Sequence, residues 1–362
     1  MTTLQNQIVG KKEDVTDELL LLNPHQTPML SLVGYGEATT QVEHAWFEDE
    51  MYADETKATA TATNAGTTLT VVDGSIFEPK HVIKVGEEFM LVTAVSGNDL
   101  TVSRGYASTT AASVAIGDKV EFQFVEGVEG ADARKARFKK RSRKSNITQI
   151  FDETISISGT AAATSQHSID DLYEYEKQKK QLELALQLEK AVINGVKYES
   201  PDGLVRQMGG LRNFIVTNVS DGGKAALTED KLIDAFQTLF EKGGFATGGN
   251  YKIIVGAKQK RAISALSKDK IVLDRMDNGR GQVVDHYLSD FGAAEIVLNN
   301  NVGPDEVFVV DINRVEIKPL QTRQFTHQYM GAKGDYVEGQ IVGEYTLELH
   351  QEKAHARIKN LA

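Results

Sequence analysis

The longest helical pattern in the chain begins near Ser168. Apolar residues recur at Ile169, Leu172, Tyr173, Leu182, Leu186, Leu188 and Ile193, the spacing that lays a stripe along one helix face. Ser168, with Asp171 three residues on, predicts an N-cap of the capping-box kind with aspartate as its acid. Asn194-Gly195 predicts the stop. A helix over 168–193 has about 26 residues and spans roughly 39 Å, so it needs a long surface to lie on. A second helix is predicted over 228–242, with Leu232, Ala235, Phe236, Leu239 and Phe240 on one face. YKIIVGAKQKRAISAL, from Tyr251, reads as strand, turn and helix, and GAAEIVLNN, DEVFVVD and VEIKPL read as further strands. GQIVGEYTLELHQEKAHARIKNL reads as one long β segment. In it Ile341, Tyr345, Leu347 and Leu349 face one way, and Glu344, Thr346, Glu348 and His350 the other.

Two stretches depart from this rhythm. Residues 65–125 are rich in Thr, Val and Gly and break into runs of about four to eight residues, as short strands do. Asp73-Gly74, Val85-Gly86-Glu87, Ser96-Gly97-Asn98-Asp99 and Gly117-Asp118 mark the turns. Within FMLVTAVS, Phe89, Leu91, Thr93 and Val95 share one face and Met90, Val92 and Ala94 the other. Both faces are mostly apolar, which predicts a strand buried in a small barrel, an inserted β-module. The first 45 residues lack a compact pattern. A short helix is predicted over 14–22, and Pro24 and Pro28 bracket an extended passage. This describes an arm that packs on something else. Ile147, Ile150, Ile155 and Ile157 make the stretch after Asn146 strand-like.

The chain has 362 residues, enough for two or three domains. It contains no cysteine, which removes disulfides, thiol catalysis and cysteine-based zinc sites. No run approaches the length of a membrane helix, and the apolar stretch 19–22 is too short for a signal-peptide core. These features predict synthesis in the cytoplasm and no membrane partner. Net charge is −11, which argues against a general nucleic-acid binder.

The sequence carries no familiar catalytic motif. No G-x-S-x-G elbow surrounds a serine. The cluster Gly243-Gly244 to Gly248-Gly249 lacks the Lys-Ser/Thr of a phosphate loop and reads as a flexible surface loop. His350 and His355 are five apart, not the four of a zinc helix, and read as a solvated strand end. Asp170-Asp171 and Glu87-Glu88 read as helix-start and turn acids. No catalytic, cofactor or metal site is predicted.

One charge feature stands out. Arg134, Lys135, Arg137, Lys139, Lys140, Arg141, Arg143 and Lys144 form a basic run opposed only by Asp132. It has three readings: a solvated strand face, a contact between subunits in which acids of this negative chain complement it, or a contact with packaged DNA.

Several segments resemble those of a known family. DELLLLNPHQTPMLSLVG looks like the N-terminal arm of tailed-phage major capsid proteins of the Hong Kong 97-type fold. NITQIFDETISISGTA resembles the return from that family's extended loop, and GLVRQMGGLRNFI at 203–215 the segment after its spine helix. DHYLSDFGAAEIVLNN and DEVFVVDINRVEIKPL resemble the strands leaving its axial domain. GDYVEGQIVGEYTLELHQEKAHARIKNL looks like its C-terminal strand and is the most specific piece.

The resemblance implies an α+β fold. Residues 1–44 would be the arm, 45–64 and 126–145 the extended loop, and 65–125 an inserted β-barrel-like module. Residues 146–222 and 312–362 would be the peripheral domain, and 223–311 the axial domain. Many copies would close, as pentamers and hexamers, into an icosahedral head shell around double-stranded DNA. The implied partners are further copies, a separate scaffolding protein, a portal and decoration proteins, with the DNA contacted weakly if at all. A separate scaffold is expected because the arm motif starts within about twenty residues of Met1. The implied location is the virion, with assembly in the host cytoplasm. No Lys–Asn crosslink is predicted, since no motif singles out a pair. The alternatives are a phage tail or fibre component, suggested by 65–125, and an oligomeric enzyme with an unrecognised site.

Overall fold

The structure is a computed structural model that describes residues 27–130, 137–164, 171–266, 286–332 and 334–362. The helix predicted over 14–22 lies outside them. The chain divides into two compact units, Phe47–Ser142 and the remainder.

In the larger unit the long helix is Leu172–Asn194, with 23 residues, about 34 Å in length. Its N-cap is Asp171, whose carboxylate accepts from the backbone N–H of Tyr173 at 2.9 Å and of Glu174 at 3.2 Å. The helix therefore starts later than predicted, and Ser168 lies outside the described residues. Asp171 needs no partner acid, because its own short side chain reaches the open N–H groups of the first turn. The stop at Gly195 is as predicted, for a steric reason: a Cβ there would lie 2.4 Å from the Ala191 carbonyl and 2.6 Å from that of Met208.

The helix buries Leu184, Leu188, Val192 and Ile193 against a four-stranded sheet. Tyr336–Leu349 is the central strand of that sheet. Gln149–Ser158 pairs along one of its edges, and Thr326–Ala332 and Val315–Pro319 follow each other on the second. Ile155, Ile157, Ile341, Tyr345, Leu347 and Leu349 complete this core, while Ile150 faces out, 42% exposed. The short helix Pro28–Val33 adds Met29 and Leu30 to it.

A six-stranded mixed sheet forms the rest of the unit, in the order Val219–Asp221, Ala356–Lys359, Val307–Asp311, Tyr251–Val255, Gly292–Leu298 and His286–Ser289. Strand alternation divides its residues between two cores. Ile253, Val255, Val307 and Val309 meet the helices Glu229–Glu241 and Ala257–Ala265 through Leu232, Phe236, Leu239 and Ile263. Ile254, Phe308 and Val310 join the core of the long helix. Phe240, predicted on the buried face, sits at the rim of the stripe in the last turn and is exposed against Phe291.

The C-terminal stretch is not one β segment. Tyr336–Leu349 ends at a turn where Gln351 has φ +50°, and Ala356–Lys359 then joins the other sheet, parallel to Val219–Asp221. His355 lies between them, fully buried rather than solvated.

The unit Phe47–Ser142 is all-β. Its sheet runs Glu55–Lys57, Lys119–Val125, His81–Val85, Glu88–Ser96, Asp99–Ser103 and Thr68–Thr70. The two outer strands meet beyond their ends, where Thr59 N–H donates to Thr70 O and Val72 N–H to Lys57 O. That antiparallel bridge between Ala58 and Val71 closes the sheet on itself. Ile83, Met90, Val92, Leu100, Val102 and Val120 fill the interior. In Glu88–Ser96 only the face of Met90 and Val92 is fully buried, whereas Phe89 and Leu91 are half-buried. Closure of a sheet leaves its strands one interior face, so the expectation of two buried faces does not hold.

Candidate assembly interface

The basic run leads into the strand Ser142–Ile147, which pairs with Glu43–Glu48. Arg134 and Lys135 lie outside the described residues. Arg137, Lys139, Arg141 and Arg143 follow the period of two that an extended chain imposes, and each meets an acid of its own chain. Arg143 lies 3.2 Å from Glu43, Arg141 3.2 Å from Asp49 and Lys139 3.4 Å from Glu50. Arg137 reaches Glu78 at 3.6 Å, donates to the Ile76 carbonyl at 2.6 Å and lies 3.9 Å over the Tyr52 ring. Lys140 and Lys144, of the other parity, are exposed and have no ion-pair partner among the described residues. Half of the predicted residues are thus neutralised locally. Such exposed pairs order a strand more than they stabilise it, at about 0–1 kcal/mol each.

The same stretch carries apolar surface. Met51 is 90% and Phe138 84% exposed, and Phe47 is exposed as well. Isolated exposed apolar residues are ordinary, whereas large ones gathered on one stretch mark contact surface. The only signal in the sequence was a phenylalanine amid cations, Arg137-Phe138-Lys139.

Buried carboxylates hold the chain segments in place, and nothing in the sequence marked them. Glu344, on the polar face of the strand, accepts from Thr148 at 2.6 Å, from Arg206 at 2.9 Å and from Arg323 at 2.9 Å. Glu306 binds Arg212 and Arg357. Glu189 of the long helix accepts from the backbone N–H of Met29 at 2.9 Å and of Leu30 at 3.0 Å, and from Asn299 at 2.6 Å. It therefore caps Pro28–Val33 from a distant segment and ties that short helix down. Burial raises its pKa, and those three hydrogen bonds only partly offset that. In the all-β unit, burial opposes the charge of Glu88, but Arg104 and the N–H groups of Ala112 and Gly105 outweigh it and lower its pKa. Arg104 donates to both Glu88 oxygens, at 2.8 and 2.7 Å, and to the carbonyls of Thr63, Gly66 and Ala112.

The remaining candidates resolve into structure. Burial pushes the His355 pKa down to about 3. As a neutral ring it accepts the Asp311 N–H at Nδ1 and donates from Nε2 to the His350 carbonyl. The glycine cluster is a built turn: Gly243 and Gly248 adopt φ +76° and +69°, and a Cβ on Gly244 or Gly249 would strike Tyr251. No group of three or more metal-ligating side chains occurs among the described residues, and no helix among them is long and apolar enough to cross a membrane.

A family model described as the SU10 major capsid protein matches residues 1–362. The chain belongs to that family. It is a phage major capsid protein, the subunit from which a head shell is built. Solved structures with the same fold agree. The structure titled Gordonia phage Cozz matches this capsid protein with a TM-score of 0.53 at 11% identity, covering 98% of this chain and 92% of that one. The capsid of an empty GTA particle matches with a TM-score of 0.52 at 11% identity, covering 97% and 96%. The structure titled Mycobacterium phage Bobi gives 0.51 at 11% identity, covering 97% and 96%. No curated protein matches the sequence. The capsid protein thus has the Hong Kong 97-type architecture, and its role in the family is structural.

Proposed function

We propose that this capsid protein closes in pentamers and hexamers into an icosahedral shell around double-stranded DNA, with the stretch around 137–144 as an intersubunit contact. The family match over the whole chain carries the shell. The arm 1–44, the extended loop 45–64 and 126–145, the peripheral domain 146–222 and 312–362 and the axial domain 223–311 take the roles those parts have in the fold. Residues 65–125 are an inserted module on the extended loop. The interior around Met90 and Leu100 supports this, and it also draws in Ala58 and Ala62 from the stretch 45–64.

The exposure of Phe138 and Met51, and that of Lys140 and Lys144 in the basic run, supports the contact. An apolar centre with charges at its rim is the composition of an association surface. A separate scaffolding protein, the portal and decoration proteins are the further partners, and assembly takes place in the host cytoplasm. The test is electron cryomicroscopy of particles formed from the full chain with scaffold supplied. Closed shells are expected; tubes, rings or monomers overturn the reading. Lys140→Glu with Lys144→Glu lowers shell yield at physiological salt if the contact is correct, and leaves it unchanged if those lysines face solvent.

A further inference from the structure

The only tryptophan of the chain, Trp46, lies between two histidines. Its ring centre is 6.1 Å from that of His44 and 6.2 Å from that of His350, and it is 5% exposed. The two imidazoles converge on one carboxylate. His44 Nε2 lies 2.8 Å from Glu348 Oε2, and His350 Nε2 lies 3.0 Å from Glu348 Oε1. Lys318 binds the same carboxylate at 2.5 Å and Glu316 at 3.2 Å. Phe214 packs against the indole, its ring centre 5.8 Å away. His44 and Trp46 belong to the strand Glu43–Glu48, whose backbone pairs only with Ser142–Ile147 among the described residues. The cluster therefore helps to fasten this strand, by its side chains, to the end of the sheet at Val315–Pro319 and Tyr336–Leu349.

We propose that His44, Glu348 and His350 form a pH-sensitive latch that holds the strand Glu43–Glu48 and loosens as pH rises. The charge count supports it. Glu316 and Glu348 bring two negative charges and Lys318 one positive, so one imidazolium balances the group. The titratable groups facing the latch are Glu316 and Lys318 from one strand, Glu348 and His350 from the next and His44 from the clamped strand. His355, whose Nε2 meets the His350 carbonyl, stays neutral.

The hydrogen bond to Glu348 raises the His350 pKa above its ordinary value and outweighs burial. Glu348 is buried, yet His350, Lys318 and His44 hold its pKa well below the usual carboxylate range. A raised histidine pKa stabilises fully below the unfolded value of about 6.5 and is lost as pH climbs through the folded one. A neutral imidazole still donates one hydrogen bond, so the latch weakens without falling open. The strand it grips is the one through which the chain passes into the unit beginning at Phe47. The latch requires no assembly, so it stands apart from the shell reading.

Trp46 supplies the readout, because an imidazolium quenches a neighbouring indole more than a neutral imidazole does. On the full-length subunit, Trp46 emission rises between pH 6 and pH 9 with a midpoint above the 6.5 of a free histidine. His350→Gln removes most of the rise, and Glu348→Gln brings the midpoint down. Hydrogen exchange at Glu43–Glu48, corrected for the intrinsic rate, speeds up by about threefold over the same range, with Tyr251–Val255 as the internal reference. His350→Gln, a half-exposed position, makes that exchange flat with pH even if Glu348→Gln fails to fold. Flat wild-type emission, a titration unchanged in both His350→Gln and His44→Gln, or exchange at Glu43–Glu48 that follows the reference strand overturns the latch.

Discussion

The two units of this capsid protein hold buried carboxylates in opposite ways. In Phe47–Ser142, Glu88 is gripped by Arg104, 16 residues away, and that arginine also binds Thr63, 41 residues away. In the larger unit, Glu189 reaches across 160 residues to Met29, Arg206 across 138 to Glu344 and His44 across 304 to Glu348. The clasp on Glu88 in the all-β unit spans at most 41 residues of chain, although that unit's outer strand Glu55–Lys57 pairs with the more distant Lys119–Val125. The larger unit is fastened by ties between segments that meet only when the whole chain has folded. Loop closure costs entropy that must be spent before such ties form, so the larger unit depends on its core to bring them together.

Four experiments break or sharpen this contrast. Arg104→Met has the largest expected effect. It leaves Glu88 charged and unpaired in the interior, which costs about 3–5 kcal/mol, read by urea denaturation of the full chain. A loss below about 1 kcal/mol would show that the local clasp does not hold the all-β unit. Leu188→Ala comes next. It opens a cavity where the long helix meets the sheet and costs about 2–5 kcal/mol, with tryptophan emission of Trp46 reporting the larger unit.

Glu189→Gln follows. A carboxamide has one acceptor oxygen for the two N–H groups of Met29 and Leu30, so one goes unsatisfied at about 1–3 kcal/mol. Faster amide exchange at Pro28–Val33 checks it. The pH signs of the two acids are opposite. The raised pKa of Glu189 means its contribution to stability is fully present below the unfolded value and lost as pH rises through the folded one. The lowered pKa of Glu88 means its contribution is present above the unfolded value and lost as pH falls through the folded one. Denaturation between pH 4 and 7 should therefore gain slope upward with pH in Glu189→Gln relative to the parent. The smallest effects belong to Lys139→Ala and Arg141→Ala, each within about 1 kcal/mol in the free subunit. A larger loss would mean these exposed pairs act as the buried ones do.

Local pattern carried much of the fold. The stripe from Leu172 to Ile193, the face of Leu232, Phe236 and Leu239 and the strand-turn-helix after Tyr251 were legible, because each periodicity is imposed by one element on its own residues. The resemblance of segments along the chain supplied the family, and the family match agrees. The basic run reads as a single patch in the sequence, and only the ion pairs of Arg137, Lys139, Arg141 and Arg143 divide it.

What only the tertiary structure decided is which polar face meets water. Glu344, Thr346 and Glu348 alternate with apolar residues as any half-solvated strand does. Their burial depends on Arg206 and His44, supplied by segments far away in sequence, and on Lys318 and Arg323 from the chain shortly before this strand. His355 looked like a surface histidine, and the turn at Gln351 put it inside by sending the chain into a second sheet. Periodicity records which residues share a face. What covers that face is settled by chain segments that the local pattern does not contain.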